Sequence, residues 1–275
     1  VILAQLTDTH VVRPGSTYFG VDTTAYLRDA IDAIHRLDPV PDAVMITGDL
    51  VNLGNDDEYA RFLDIVSAIR MPYYVVPGNH DDRDRMRAAL PEATYGASRD
   101  ARVRFAIDEF DVRLIGLDAT GPTWPGASLD AASLSWLEET LASRPGVPTI
   151  ICVHQPPFRT GLRYMDVLGF GGLGRLRRTL ARYPNVGRVI SGHIHCVRAG
   201  HVGAARALSA PSTAPQVVPE LFERRAFGLR KELPGFAVHV WDAERGFGTT
   251  TYRRDSTGTY APVAGPGSFG ENIRA

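Results

Sequence analysis

The chain has 275 residues, 44% hydrophobic and 22% charged, with 30 Lys+Arg against 31 Asp+Glu for a formal charge of −1. That apolar fraction can build a sizeable core and excludes general disorder. The balanced charge leaves no global field to hold a nucleic-acid polymer, and no apolar run reaches the length of a membrane span.

Ile2 to Thr7 predicts a first strand. Residues 23–37 place Leu27, Ala30, Ile31, Ile34 and Leu37 on one helical face, capped by Asp22 or Thr23 and stopped by Asp38-Pro39. Ala43 to Ile46 is unbroken in its apolarity, as a strand covered on both faces should be. A helix over 57–70 runs through Tyr59, Phe62, Ile65, Val66 and Ile69, and Tyr73 to Val76 is a third strand. This β-α-β-α-β order argues for parallel strands in an α/β core. A short helix near 82–90 follows, then paired strands Arg102 to Ile107 and Val112 to Leu117 around Asp108-Glu109. Next come a helix over 130–142, a strand over 148–153, a long loop over 154–171, a helix over 172–183 and a strand over 186–190. From 195 the pattern is mostly β, clearest at Phe236 to Trp241 and Gly248 to Tyr252, with Pro211, Pro215, Pro219 and Pro234 breaking the stretch between. Residues 255–275, with four Gly and two Pro, read as an irregular tail. No internal repeat is visible.

Two cysteines, Cys152 and Cys196, lie in or beside apolar runs and read as buried thiols, too few for a disulfide framework. Val1-Ile2-Leu3-Ala4 leads straight into a strand with no signal peptide, so a cytoplasmic location is the default expectation.

The chemistry sits where strands end. The five ends are Asp8-Thr9-His10, Gly48-Asp49, Gly78-Asn79-His80-Asp81, His154-Gln155-Pro156-Pro157 and Gly192-His193-Ile194-His195. Open α/β sheets bind ligands just beyond the carboxyl ends of their strands. Alone, Asp-x-His, Gly-Asp and His154 read as ordinary caps or turns, Gly-His-x-His is ambiguous and Gly-Asn-His-Asp is the least ordinary; their joint occurrence in this order is not ordinary. Histidines, aspartates and an asparagine suit borderline-to-hard divalent metals, and the absence of Cys argues against a closed structural zinc site. Six or seven such ligands are too many for one ion and suit two ions sharing a carboxylate.

These blocks resemble the calcineurin-like metallophosphoesterase superfamily over about residues 2–200. Leu6-Thr7-Asp8-Thr9-His10, Tyr18-Phe19-Gly20 and Pro77-Gly78-Asn79-His80-Asp81-Asp82 carry a narrower likeness to its class III cyclic-nucleotide phosphodiesterases and glycerophosphodiesterases. The resemblance implies a four-layer α-β-β-α sandwich in the broad α/β (α+β) class. It implies a catalytic core over 1–210 and a β-rich extension over 211–275 that completes the second sheet and serves as an oligomer or cap element. Asp8, His10 and His195 would bind one metal, Asn79, His154 and His193 the other, and Asp49 would bridge them. His80 would lie near the leaving group, with Asp81 either orienting it or serving as a plain turn residue. The ions would be iron, manganese, cobalt or zinc. Gln155 departs from the family, where histidine often repeats after the His154 position.

The reaction implied is hydrolysis of a small phosphodiester, a cyclic nucleotide such as cyclic AMP or a glycerophosphodiester, by a metal-bound hydroxide, with His80, Asn79 and Asp49 as the catalytic set. Partners implied are the small diester and a second copy of the chain, with no nucleic-acid polymer and no membrane. A diester is favoured because Gly48-Asp49-Leu50-Val51-Asn52-Leu53-Gly54 lacks the arginine that protein phosphatases of this superfamily carry there. A phosphomonoesterase, a nuclease and a catalytically silent metal-binding scaffold remain alternatives. Gly169-x-Gly171-x-x-Gly174 follows a loop instead of a strand and is read as a substrate-side loop, not a dinucleotide fingerprint. Arg175, Arg177, Arg178 and Arg182 read as a solvated face, and His35, His201 and His239 as outside the chemistry.

Overall fold

The structure is a computed structural model and describes residues 1–96, 102–217, 229–230 and 232–263. β1 (Ile2–Leu6), α1 (Thr23–His35), β2 (Ala43–Thr47), α2 (Asp56–Val66), β3 (Tyr73–Val76) and α3 (Arg83–Ala89) form the first half. β1, β2 and β3 pair in parallel, as the alternating pattern requires. The helices start where a carboxylate can accept from their free amides: Asp22 from Thr24 N and Ala25 N, and Asp82 from Asp84 N and Arg85 N. α2 ends at Val66, four residues before the predicted end. The chain goes on as tight i→i+3 turns, with Ile69 N donating to the Val66 carbonyl at 2.9 Å.

The second half runs β4 (Arg104–Ile107), β5 (Arg113–Leu117), β6 (Ala127–Ser128), α4 (Ala131–Ser143), β7 (Thr149–Val153), α5 (Arg163–Asp166), β8 (Phe170–Gly171), α6 (Leu173–Ala181) and β9 (Val186–Ser191). β10 (Arg198–Val202) and β11 (Ala205–Ser209) make a hairpin, and β12 (Gln216–Val217) pairs with β13 (Leu229–Arg230). β14 (Gly235–Asp242), β15 (Gly246–Arg254) and β16 (Tyr260–Pro262) close the chain. β4 and β5 are antiparallel as predicted. β4 starts two residues late because Arg102 turns to Asp130 Oδ2 at 2.9 Å and the Thr120 carbonyl at 2.7 Å. The 154–171 segment is not a plain loop. The Asp166 carboxylate accepts from Thr160 N, the Thr160 hydroxyl and Gly161 N, which folds α5 into it.

Two six-stranded sheets result, ordered β16-β15-β14-β1-β2-β3 and β10-β11-β9-β7-β5-β4. The C-terminal strands thus extend the sheet of β1, against the expectation that they complete the second sheet. β1 has β2 on one edge only, so its other edge has unpaired amides and carbonyls, which β14 satisfies in antiparallel register from Ile2↔Val240 to Gln5↔Ala237. The β10–β11 hairpin finishes the second sheet instead. β16 also corrects the expected irregular tail: it pairs with β15 from Arg254↔Tyr260 to Tyr252↔Pro262. Pro219 and residues 264–275 lie outside the described residues.

The period of two in the buried strands sorts the layers. Leu114, Ile150, Cys152 and Ile190 join the core that holds β1–β3 and the apolar faces of α1, α2 and α3. Their neighbours Ile115, Ile151, Val153 and Val189 pack on Leu134, Leu137, Leu176 and Leu180 of α4 and α6. Each strand of the second sheet is therefore apolar on both faces, which is why its sequence shows unbroken runs. The four-layer arrangement follows: helices, sheet, sheet, helices. Gln5 crosses between the sheets, donating to Thr47 Oγ1 at 2.9 Å and the Ser191 carbonyl at 3.0 Å while accepting from His239 Nε2 at 2.9 Å. Burial pushes His239 down to about 3, so it is a neutral core residue. Cys152 and Cys196 are buried free thiols. Among the described residues no helix is long and apolar enough to cross a membrane.

Candidate metal centre

The carboxyl ends of β1, β2 and β3 meet those of β7 and β9 at one edge of the two sheets. The loops are laced together by backbone bonds: Asp8 N to the Gly48 carbonyl at 3.0 Å, His10 N to the Asp49 carbonyl at 2.9 Å and Gly192 N to the His154 carbonyl at 2.8 Å. The cost of this convergence is visible in the backbone. Among the described residues six non-glycine residues have left-handed φ, and Asp8, His10, Asp49, His193 and His195 are five of them. Such conformations cost about 1–3 kcal/mol each and persist where function holds them. Gly78 shows why a glycine is needed: a Cβ there would collide with the Asp49 carboxylate and amide. At Gly48, φ is +88° and a Cβ would stand 2.5 Å from His154 Nδ1.

Side-chain atoms converge as two groups. Asp8, His10, Asp49 and His195 form one and Asp49, His154 and His193 the other, each group able to offer ligand atoms within 4.8 Å of one another. Asp49 alone belongs to both. Its Oδ2 lies 3.6 Å from His10 Nε2 and 3.3 Å from His154 Nε2, while Oδ1 accepts from His80 N at 2.9 Å. Asp8 accepts from His193 N at 3.0 Å and faces His195 Nε2 at 3.3 Å. The ring tautomers are set from outside the centre. His154 Nδ1 donates to the Thr47 carbonyl at 2.7 Å and His195 Nδ1 to the Pro215 carbonyl at 2.6 Å. When neutral, each ring would thereby present a bare Nε2 inward, the usual arrangement of a metal-ligating histidine.

This donor set fits divalent cations. His154 Nε2 and Asn79 Oδ1 are buried with no hydrogen-bond partner, and His10 Nε2 and His195 Nε2 lie 3.1 Å apart. Buried acceptors left unpaired are costly; a cation would satisfy them together. Burial alone would raise Asp8 and Asp49, but His195 and His154 beside them hold both carboxyls below the usual range. Burial drives His10 well down and His193 down to about 3. Burial opposes charge on His154 as well, but Asp49 and Asp8 outweigh it and lift the ring to about 9; Asp8 likewise lifts His195.

His80 is half-buried and its Nδ1 donates to the Asn52 carbonyl at 2.7 Å. Asp81 is not its orienting partner. The Asp81 carboxylate accepts from Leu50 N, Val51 N, Gly78 N and the Tyr59 hydroxyl, which pins the β2 and β3 loops together. Tyr18, of the Tyr18-Phe19-Gly20 block, stacks on His10 with centroids 4.3 Å apart and planes 9° apart. Trp124 was not foreseen. It lies beyond β5 in Gly121-Pro122-Thr123-Trp124-Pro125-Gly126, where a large ring in a Gly/Pro loop at a strand's carboxyl end was the available signal. A cavity of about 320 Å³ opens on the centre, lined by His10, Tyr18, Asp49, Asn79, His80 and Trp124 among others. Its lining includes no arginine or lysine among the described residues. A neighbouring cavity of about 290 Å³ holds Gln155, Gly169 and Arg177 and shares His193 with the first. Arg175 and Arg182 pair with Glu138 on α4, away from the chemistry.

The family model of calcineurin-like phosphoesterases matches residues 2–197. The chain belongs to the calcineurin-like phosphoesterase family. This phosphoesterase is 32% identical over 255 residues to the probable glycerophosphodiester phosphodiesterase GpdQ of Arcobacter nitrofigilis, covering 91% of this chain and 92% of that one. It is 29% identical over 258 residues to the 3',5'-cyclic adenosine monophosphate phosphodiesterase CpdA of Escherichia coli K12, covering 94% and 91%. Its fold matches a dimetal phosphatase from Danio rerio with a TM-score of 0.64 at 16% identity, over 91% of this chain and 98% of that one. The resemblance read from the strand-end blocks and the sandwich expected from it both hold.

Proposed function

We propose that this phosphoesterase hydrolyses small phosphodiesters, cyclic nucleotides or glycerophosphodiesters, with two divalent ions held by the strand-end loops. The observation that carries the reading is Asp49, whose Oδ2 stands between His10 Nε2 and His154 Nε2. Asp8, His10 and His195 would hold one ion, Asn79, His154 and His193 the other, with Asp49 between them. Bound there, iron, manganese, cobalt or zinc would neutralise phosphoryl oxygens and bring the pKa of water toward neutrality.

The remaining work falls to the chain. Stacked Tyr18 holds the His10 ring in place at the cavity wall. Asn79, whose Oδ1 is buried and unpaired, would hold the second ion and orient the substrate. The Asn52 carbonyl fixes the His80 ring through Nδ1, and as the imidazolium His80 would give its Nε2 proton to the departing alkoxide. The lack of a cationic side chain in the cavity favours a monoanionic diester over a dianionic monoester, which would call for an arginine clamp.

Metal-stripped protein reloaded with manganese should hydrolyse bis(p-nitrophenyl) phosphate with kcat/KM about tenfold or more above p-nitrophenyl phosphate, a fold-change that reads charge selection at the transition state. A faster monoester would overturn the diester assignment. Two bound ions with no turnover of either would mark a scaffold.

Metal uptake should also release protons. Below about 9 the cation-free His154 is protonated, and a ligand must be neutral to bind, so apparent affinity should rise as pH climbs toward that value. Calorimetric manganese titrations at pH 7.5 in two buffers of different protonation enthalpy should differ in heat. Identical heats would contradict the proton exchange.

A further inference from the structure

Relatives named for two substrate classes match this chain at nearly equal identity, and its own cavity rim separates them. Five rings form a continuous row past the metal centre. Phe19 meets Tyr18 at 4.8 Å, Tyr18 meets His10 at 4.3 Å, His10 meets His80 at 4.7 Å and His80 meets Trp124 at 5.8 Å between centroids. Both ends of the row are open: Phe19 is 60% exposed and Trp124 71%. Phe19 also holds a left-handed backbone at φ 49°, rare for a bulky side chain, so its exposed place is imposed by the loop. Trp124 lines the cavity beside His80, and the wall on that side adds Pro125, Tyr164, Met165, Leu168 and Val217, mostly apolar surface. Hydroxyls of a glycerol moiety would find few hydrogen-bond partners against such a wall. A flat heteroaromatic ring can lay its apolar face on the exposed indole and keep its polar edge in water at the open mouth.

We propose, resting on the phosphodiesterase reading above, that Trp124 is a specificity-determining residue that stacks on the nucleobase of a 3',5'-cyclic nucleotide. The reacting phosphate sits at the metal centre and the base at the mouth. Phe19 marks the opposite end of the ring row.

The test is kcat/KM for 3',5'-cyclic AMP and for glycerophosphocholine with manganese-loaded wild type, Trp124→Ala and Trp124→Phe. Base–aromatic stacking by alanine substitution predicts that the cyclic AMP to glycerophosphocholine ratio falls about tenfold or more in Trp124→Ala, chiefly through KM, and returns to within about threefold in Trp124→Phe. An unchanged ratio would overturn the assignment. So would a ratio that rises because glycerophosphocholine suffers more, the mark of a trimethylammonium group held over the indole.

A second readout needs no turnover. Adenosine, which carries no phosphate, should quench the tryptophan fluorescence of the wild type. It should leave that of Trp124→Phe, which retains Trp136 and Trp241, unaltered. No quenching in the wild type sinks the ring-stacking proposal. Quenching without hydrolysis of either substrate sinks only the phosphodiesterase reading.

Discussion

Replacing Asp49 by alanine is expected to remove turnover and at least one of two bound ions together. Its Oδ2 stands between the two histidine groups, and no other residue belongs to both. An ion that neutralises phosphoryl charge contributes several kcal/mol to transition-state stabilisation, so its loss should lower kcat by about a thousandfold or more. Alanine also removes the acceptor of His80 N, so Asp49→Asn is the informative partner. Asparagine keeps an oxygen at that amide and loses only the charge. Both variants should fall to a similar residual rate while Asp49→Asn melts within a few degrees of the wild type. Near-normal turnover with two ions retained would refute the bridging role. Metal analysis by mass spectrometry beside a diester assay reads both outcomes.

His80→Ala should behave differently, because His80 belongs to neither candidate ligand group. General-acid catalysis is worth about 10²- to 10⁴-fold when the leaving group needs a proton. The loss in kcat should therefore reach that range on cyclic AMP and on alkyl diesters, whose alkoxides are strong bases. On bis(p-nitrophenyl) phosphate, whose phenolate leaves without a proton, the loss should be a small fraction of that. Metal content should stay at the wild-type level. Equal losses on both substrates would mean that His80 binds the phosphoryl group instead of serving the leaving oxygen. Replacement of Asn52 tests nothing here, since its backbone carbonyl, not its side chain, fixes the ring.

The sequence disclosed the centre because strand ends put the reactive side chains next to unbroken apolar runs. Asp8, Asp49 and Asn79 follow β1, β2 and β3, and His154, His193 and His195 follow β7 and β9, so a reader who finds the strands also finds the loops. The parts that stayed hidden are those made by the backbone. The carbonyls of Thr47, Pro215 and Asn52 choose the tautomers of His154 and His195 and the pose of His80, and any residue type offers the same carbonyl. The role of Asp81 was open for a related reason: a carboxylate that accepts from amides of two loops leaves no trace in spacing. The destination of β14 was misread because its apolar alternation suits either sheet. Only the free edge of β1 decides it. Trp124 was opaque since aromatic residues in loops usually pack, and nothing local says that a ring will lie against His80.

The most direct measurement is anomalous diffraction at the manganese edge from crystals grown with excess manganese. Two peaks per chain are predicted, one against Asp8, His10 and His195 and one against Asn79, His154 and His193, with the Asp49 carboxylate reaching both. A single peak, or two that leave Asp49 without a contact, would contradict a shared pair of ions as the heart of this phosphoesterase.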